Sequence, residues 1–147
     1  MVGGVLHLTV IDPSPAACSL GPRLRHWLEE SLLLNVERQF RCMNPSKLFP
    51  IWLADARLHA EGSAIASFRF QVANRPIEEG DRPGLSRDEE RVRVELRSTV
   101  GRTLWKEVWG SFVNGDSWWW EERDIVDECL RLGTYWEYSI IEAVKEA

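Results

Sequence analysis

Residues 117–124 read SWWWEERD, and the placement of their three adjacent tryptophans decides how the C-terminal part of the chain folds. Neighbouring side chains point to opposite faces of a strand and lie about 100° apart around a helix, so one buried wall cannot cover all three rings. Trp118 extends an apolar stripe that continues to Ile125 and beyond, which gives this ring a core position. We therefore expect Trp119 or Trp120 to be exposed to solvent or covered by another chain.

Two segments have the apolar spacing of amphipathic helices. The first begins at Gly21-Pro22, a favourable helix start, and carries the stripe Leu24, Leu28, Leu32 and Val36. The second has acidic residues at its beginning, as the helix dipole favours, and carries the stripe Ile125, Cys129, Leu132, Trp136, Ile140 and Val144. The sequence predicts helices over 21–38 and 121–146, the second of which is straight or bent at Gly133.

Three segments have the pattern of β-strands. Residues 5–11, VLHLTVI, are β-branched or aliphatic and end at the proline-rich stop DPSP. Residues 64–72, AIASFRFQV, alternate, and their apolar face carries Ala66, Phe68, Phe70 and Val72. Residues 91–97 also alternate, and Gly101 permits a hairpin turn into 103–109. The outer face of this predicted hairpin carries Trp105, Trp109, Arg91 and Arg93.

These patterns fit one domain of 147 residues, which is large enough for an ordinary hydrophobic core. We predict a single α+β domain over 1–147, with a mainly antiparallel sheet and the two helices packed against one of its faces. Residues 74–90, NRPIEEGDRPGLSRDEE, are rich in proline, glycine and charge and predict a mobile surface loop. Residues 48–53, LFPIWL, fit a strand or a short helix, although Pro50 argues against a central strand, and the pattern leaves the structure of 44–62 open.

Composition narrows the class of function. The net charge of −5 and the pI near 5.3 argue against nucleic acid as a general partner, because phosphate binding needs clustered positive charge. Three widely spaced cysteines and three scattered histidines predict neither a disulfide framework nor a metal site. The sequence has no nucleophile, dinucleotide or phosphate-loop motif. We therefore expect no cofactor and no enzymatic activity.

The N-terminal segment provides evidence on the cellular location of the protein. It lacks the basic region of a secretory signal peptide, and Asp12-Pro13 interrupts its apolar run. No apolar segment approaches the ~20 residues that cross a bilayer. The sequence predicts a cytoplasmic protein without a transmembrane segment, and it leaves association with the cell envelope or with a virion open.

The order of the elements provides a resemblance. A strand ending at IDPSP is followed by the helix LGPRLRHWLEESLLLN, by a meander containing ADARLHAEGSAIASFRFQV and RVRVELRSTVGRTLWKEVWGSF, and by a terminal helix. In this order, over most of its length, the chain resembles small α/β auxiliary domains of bacterial cell-envelope assembly and transport systems. The resemblance carries no diagnostic motif and therefore transfers no functional residue.

The sequence contains more aromatic and arginine side chains than we expect a core to need, and it contains no recognisable catalytic motif. Such side chains are typical of binding surfaces. We predict a non-enzymatic interaction or assembly protein that docks to a protein partner or to its own copies, such as an accessory subunit, a virion component or an inhibitor. The predicted contact residues are Trp119, Trp120, Trp105, Trp109, Arg91 and Arg93. The alternative is a module with a tryptophan-lined pocket between the sheet and the terminal helix for a small apolar or aromatic ligand.

Overall fold

The chain forms a three-stranded antiparallel sheet with helices on both faces, in a computed structural model that describes residues 4–39, 41–72 and 87–147. The predicted α+β class is confirmed. The strands are β1 (Val5–Ile11), β2 (Ala64–Gln71) and β3 (Tyr135–Val144). The helices are α1 (Pro22–Leu28), α2 (Leu34–Arg38), α3 (Pro45–Asp55), α4 (Arg87–Trp109) and α5 (Arg123–Leu132). Within the described residues, no helix is both long and apolar enough to cross a membrane.

The last strand lies in the centre of the sheet, whose order is β1-β3-β2. The helix predicted over 121–146 is therefore wrong beyond Leu132, where Gly133 adopts a left-handed conformation (φ 64°, ψ 38°) and ends α5. The spacing of four between Trp136, Ile140 and Val144 caused the error. A spacing of four keeps side chains near one stripe of a helix, and it also keeps them on one face of a strand because four is a multiple of two.

The hairpin predicted over 91–109 is also wrong, because this segment lies within α4. Its short alternation competes with apolar residues at every fourth position and with a composition of Arg, Glu and Leu that favours helix. Gly101 does not make a turn: it lies on the buried side of α4, where an added Cβ would be 2.2 Å from the Phe70 ring. Glycine at this position lets the helix backbone approach β2 closely.

The helix predicted over 21–38 is confirmed as α1, a π-helical segment Glu29–Leu33 and α2, which follow one another without a break. All four stripe residues are buried: Leu24, Leu28, Leu32 and Val36. A repeat of four residues drifts around an α-helix of 3.6 residues per turn. Because a π turn contains more residues than an α turn, the central segment turns the stripe back toward the core.

The remaining predictions concern four segments. The strands predicted over 5–11 and 64–72 are confirmed as β1 and β2. Residues 45–55 form α3, which accommodates Pro50 inside the helix. Of the loop predicted over 74–90, residues 87–90 belong to α4, and 74–86 lie outside the described residues.

Two apolar clusters hold the layers together. The larger joins one end of the sheet to the helices α1, α2, α4 and α5, and its buried members include Ile11, Phe70, Trp105 and Trp136. The smaller places Leu53 of α3 against Val10, Ile141 and Ala143 on the opposite face. Each face of the sheet is therefore covered over only part of its length.

Candidate functional site

Tryptophans of α4, of β3 and of the segment before α5 pack together in the larger core cluster. Trp105, Trp119 and Trp136 are fully buried, and Trp109 is nearly so. Trp119 stacks on Trp136 with ring centroids 5.0 Å apart, and Trp105 meets both rings edge to face. The prediction that Trp105, Trp109 and Trp119 form an exposed contact surface is wrong for the isolated chain, because a helix directs the first two residues inward at a spacing of four.

Three indole N–H groups bind consecutive backbone carbonyls where the chain leaves β1. Trp109 donates to the carbonyl of Ile11 (3.1 Å), Trp136 to that of Asp12 (3.2 Å) and Trp105 to that of Pro13 (3.0 Å). Buried carbonyls need a donor, and those after the end of a strand have lost their partner in the sheet. Tryptophan supplies a large apolar ring and this donor in the same side chain.

The run SWWWEERD distributes its three rings between the core and the surface. Trp119 is fully buried, whereas Trp118 and Trp120 are half-buried and stack on each other with centroids 5.1 Å apart. Lys106 lies over the Trp118 ring, 4.9 Å from its centroid. The prediction that Trp119 or Trp120 is exposed is therefore wrong for Trp119, and Trp120 is only partly exposed. Trp118 does not belong to the stripe of α5, which begins at Arg123.

Arg91 and Arg93 are exposed, but they lie on α4 rather than on a hairpin. The hairpin face that was predicted to carry them with Trp105 and Trp109 is absent, because all four residues belong to the same helix. The structure therefore does not bring the six predicted contact residues into one surface.

A different exposed surface lies on the sheet. We call it the open sheet face, and it consists of Thr9, Ala66, Phe68, Tyr138 and Ile140. Phe68 pairs with Tyr138 across β2 and β3, and Ile140 lies between Thr9 and Ala66. Directly paired residues point to the same side of a sheet, so these five side chains share one face.

The open sheet face continues a surface that the helices cover. Phe70 and Trp136 form the adjacent row of the same face, stack with centroids 6.0 Å apart and are buried. Farther along, Phe68 is 44% exposed and Ile140 is 43% exposed. Phe68 also stacks on the half-buried Tyr138 ring, with centroids 5.3 Å apart. An apolar, partly aromatic surface therefore extends beyond the edge of the helical layer.

The uncovered part of the opposite face carries polar pairs beside Ile65, which is 60% exposed. There Arg69 binds Glu137 at 2.6 Å, and the hydroxyls of Ser67 and Ser139 lie 3.2 Å apart. Both surfaces use the same segments of β2 and β3, so their difference does not come from backbone position. Polar cross-strand pairs are typical of a solvated sheet face, whereas contiguous exposed apolar side chains mark contact sites.

Nucleophile and metal chemistry find little support in the described residues. Burial raises the pKa of the Cys129 thiol from 9.0 to about 11, which keeps it protonated and unreactive at neutral pH. Cys18 is exposed, and its sulfur lies 3.6 Å from the Tyr135 hydroxyl. Within the parts of the chain that the structure describes, no cluster of three His, Cys, Asp or Glu side chains could hold a metal ion.

Two partly open cavities among the described residues have mixed polar and apolar linings that contain no tryptophan. One, of about 360 Å³, lies at the end of β2 beside α4, and its lining includes Arg69, Arg97 and Tyr135. Another, of about 320 Å³, lies between the end of β1 and the start of α3, and its lining includes Asp12, Lys47 and Glu137. Indole rings in direct contact occupy the layer between the sheet and the helices where the ligand hypothesis placed its pocket.

Sequence reasoning identified half of the open sheet face. The alternation of 64–72 placed Ala66 and Phe68 together, but it assigned them to the core with Phe70 and Val72. The other half lies on β3, which was predicted as helix, although the run Tyr138, Ile140 and Ile141 is rich in aromatic and β-branched residues.

Comparisons with protein-family models, with curated proteins and with solved structures found no match for this chain.

Proposed function

We propose that this protein is a non-enzymatic docking module that binds a protein partner through the open sheet face. The observation that carries the proposal is the contrast between the two uncovered surfaces of one sheet. The surface with the Arg69–Glu137 and Ser67–Ser139 pairs is compatible with exposure to solvent. The surface with Phe68, Tyr138 and Ile140 leaves aromatic and aliphatic groups in water at a free-energy cost that a partner removes.

The size of the open sheet face favours an α-helix as its occupant. Three strands about 4.8 Å apart and three residues of about 3.3 Å along each strand give a surface of roughly 14 Å by 10 Å. This area is far below the ~800 Å² that each partner contributes to a standard protein interface. A helix of about nine residues matches its longer side at ~1.5 Å per residue. The adjacent half of the same face already packs against helices, so a partner helix would extend an existing layer.

The chemistry of the face defines the partner further. Its five side chains carry no charge, and their polar groups are the hydroxyls of Thr9 and Tyr138. The row beyond them contains His7, Glu142 and Ala64, so titratable groups lie at one end only. We therefore expect an amphipathic helix whose apolar stripe covers Phe68 and Ile140 and whose cationic end lies near Glu142.

Site-specific photocrosslinking in the native source tests the proposal. A photoreactive amino acid replaces Ala66, on the open sheet face, or Ser67, the next residue, which points to the opposite face. We expect the Ala66 probe to crosslink one partner through a helical segment and the Ser67 probe to crosslink none. Phe68→Lys should abolish the crosslink, while Ile65→Lys, at a 60% exposed position on the opposite face, should preserve it.

The folding of each variant is checked by circular dichroism and thermal unfolding. The proposal fails if the Ala66 probe gives no specific adduct, or if the probes at 66 and 67 give the same adducts. It also fails if Phe68→Lys folds normally and leaves the adduct unchanged.

A further inference from the structure

We infer that α4 carries a second docking surface, through which two copies of this chain associate in antiparallel orientation about Val100. The surface is the α4 ridge, which we define as the apolar residues at every fourth position along the helix: Val92, Leu96, Val100, Leu104 and Val108. It is distinct from the open sheet face and goes beyond the proposed function.

Most of the α4 ridge lies in water. Val92 is 62% exposed, Leu96 60%, Val100 51% and Val108 37%, whereas Leu104 is partly buried against the core. The helix already packs on β2 and on the core through its other side, where Gly101, Trp105 and Trp109 lie. A solvent-facing helix side normally carries charged and polar residues. Leu96 and Val100 therefore form the centre of an exposed apolar surface on the outer side of α4, and Val92 and Val108 lie about 80° to either side of Val100, because each step of four residues advances about 40° around a helix.

The spacing of the ridge fits the packing of one helix on another. Rows of side chains at i and i+4 form the ridges that interdigitate in the commonest class of helix pair, with axes about 50° apart and separated by about 8–10 Å. Sixteen residues separate the ends of the ridge, which gives it a length of roughly 24 Å at ~1.5 Å per residue. A second copy supplies an identical ridge, so a twofold axis can satisfy both apolar surfaces together.

Charges beside the ridge select the orientation and the register. Arg93 and Glu107 are exposed, and neither forms an ion pair with another described residue. An antiparallel pair centred on Val100 places Arg93 of each copy opposite Glu107 of the other, since the two residues lie seven positions on either side of the centre. The same arrangement places Leu96 opposite Leu104, whereas axes about 50° apart separate Val92 from Val108 at the ends of the ridge.

Other arrangements lose this complementarity. A parallel pair places Arg93 opposite Arg93 and Glu107 opposite Glu107, and like charges in contact are unfavourable. An antiparallel pair centred on residue 98 places Glu89 opposite Glu107, again with like charges. One centred on Leu96 places Arg93 opposite Thr99 and leaves the arginine without a counter-charge. The charge pattern therefore favours the pair centred on Val100.

Sedimentation equilibrium of charge variants tests the inference. We expect the wild-type chain to dimerise reversibly and Leu96→Glu to be monomeric. Arg93→Glu and Glu107→Arg should each weaken the dimer by about 5- to 20-fold, since each breaks two symmetry-related pairs and creates like-charge contacts. The double variant Arg93→Glu/Glu107→Arg restores both pairs and should dimerise like the wild type. Leu132→Glu, at an exposed apolar position on α5, is the matched control and should not change the affinity.

The outcomes separate this inference from the proposed function. A wild-type chain that stays monomeric at every concentration overturns the inference, and so does a dimer that Leu96→Glu leaves intact. A double variant that dimerises no better than the single variants overturns the register. Crosslinking from Ala66 does not depend on any of these results, so it tests the proposed function of the open sheet face independently. Circular dichroism of each variant shows whether α4 remains folded.

Discussion

Four buried indole N–H groups divide the tryptophans of this core into two kinds. Those of Trp105, Trp109 and Trp136 donate to the carbonyls of residues 11–13 and fix the path of the chain after β1. The N–H of Trp119 is buried without a hydrogen-bond partner among the described residues. Trp119 therefore contributes through ring packing alone, whereas the other three combine packing with hydrogen bonding.

This division predicts different costs for one chemical change. Replacing Trp105 with Phe removes part of the ring and leaves the buried Pro13 carbonyl without its donor, which should lower the free energy of unfolding by about 2–4 kcal/mol. Replacing Trp119 with Phe removes a similar volume and an N–H that had no partner, so we expect a loss smaller by about 1–2 kcal/mol. Urea unfolding of both variants measures the difference. Equal losses would mean that the indole hydrogen bonds contribute little to stability.

At the scale of elements, the position of α4 depends on the absence of one side chain. An added Cβ at Gly101 would lie 2.2–2.4 Å from three atoms of the Phe70 ring. Alanine is favoured over glycine inside a helix by about 1 kcal/mol, so propensity and packing make opposite predictions at this position. Distances this short require the helix or the ring to move, and we expect packing to dominate.

Gly101→Ala should therefore destabilise the protein by about 1–3 kcal/mol, the usual cost of overpacking a core. Phe70→Ala removes the obstructing ring, so adding Gly101→Ala in that background should cost nothing or stabilise α4. Urea unfolding of the wild type, the two single variants and the double variant completes a double-mutant cycle, which measures the coupling between residues 70 and 101. A stabilising effect of Gly101→Ala in the wild-type background would contradict the close approach of α4 to β2.

The elements that the sequence predicted correctly are those whose apolar spacing fits only one structure. Residues 66–72 alternate strictly, and the stripe from Leu24 to Val36 has no competing alternation. Trp136, Ile140 and Val144 fit a helix and a strand equally well, so local pattern could not reveal β3. The exposure of Phe68 depends on where the helical layer ends, which is set by tertiary packing and not by β2 itself. The open sheet face was therefore predictable only in part.

At the scale of the whole molecule, the sheet cannot form before the end of the chain is available. β3 is the last strand and separates β1 from β2, so neither of these strands has a partner without it. The larger core cluster then joins this sheet to α1, α2, α4 and α5. Such connectivity favours one cooperative unfolding transition. A change in the protonation of any buried group in the cluster should therefore change the free energy of global unfolding.

Cys129 allows this coupling to be measured through pH. The thiol is 2% exposed within the larger cluster, and desolvation by burial raises its pKa from 9.0 to about 11, with a hydrogen bond to Thr134 acting in the opposite direction. The folded state therefore keeps a proton that the unfolded chain releases above pH 9. Its contribution to stability is fully present below the unfolded pKa and is lost as pH rises toward the folded value.

We therefore expect Cys129 to account for a fall of about 2–3 kcal/mol in the free energy of unfolding across this window, since each pKa unit corresponds to about 1.4 kcal/mol. Urea unfolding of the wild type and of Cys129→Ala from pH 8 to 11 isolates this term from other titrating groups. The variant should be less stable at pH 8 and should approach the wild type at higher pH. Parallel curves for Cys129→Ala and the wild type would show that ionisation of the buried thiol is not coupled to global unfolding.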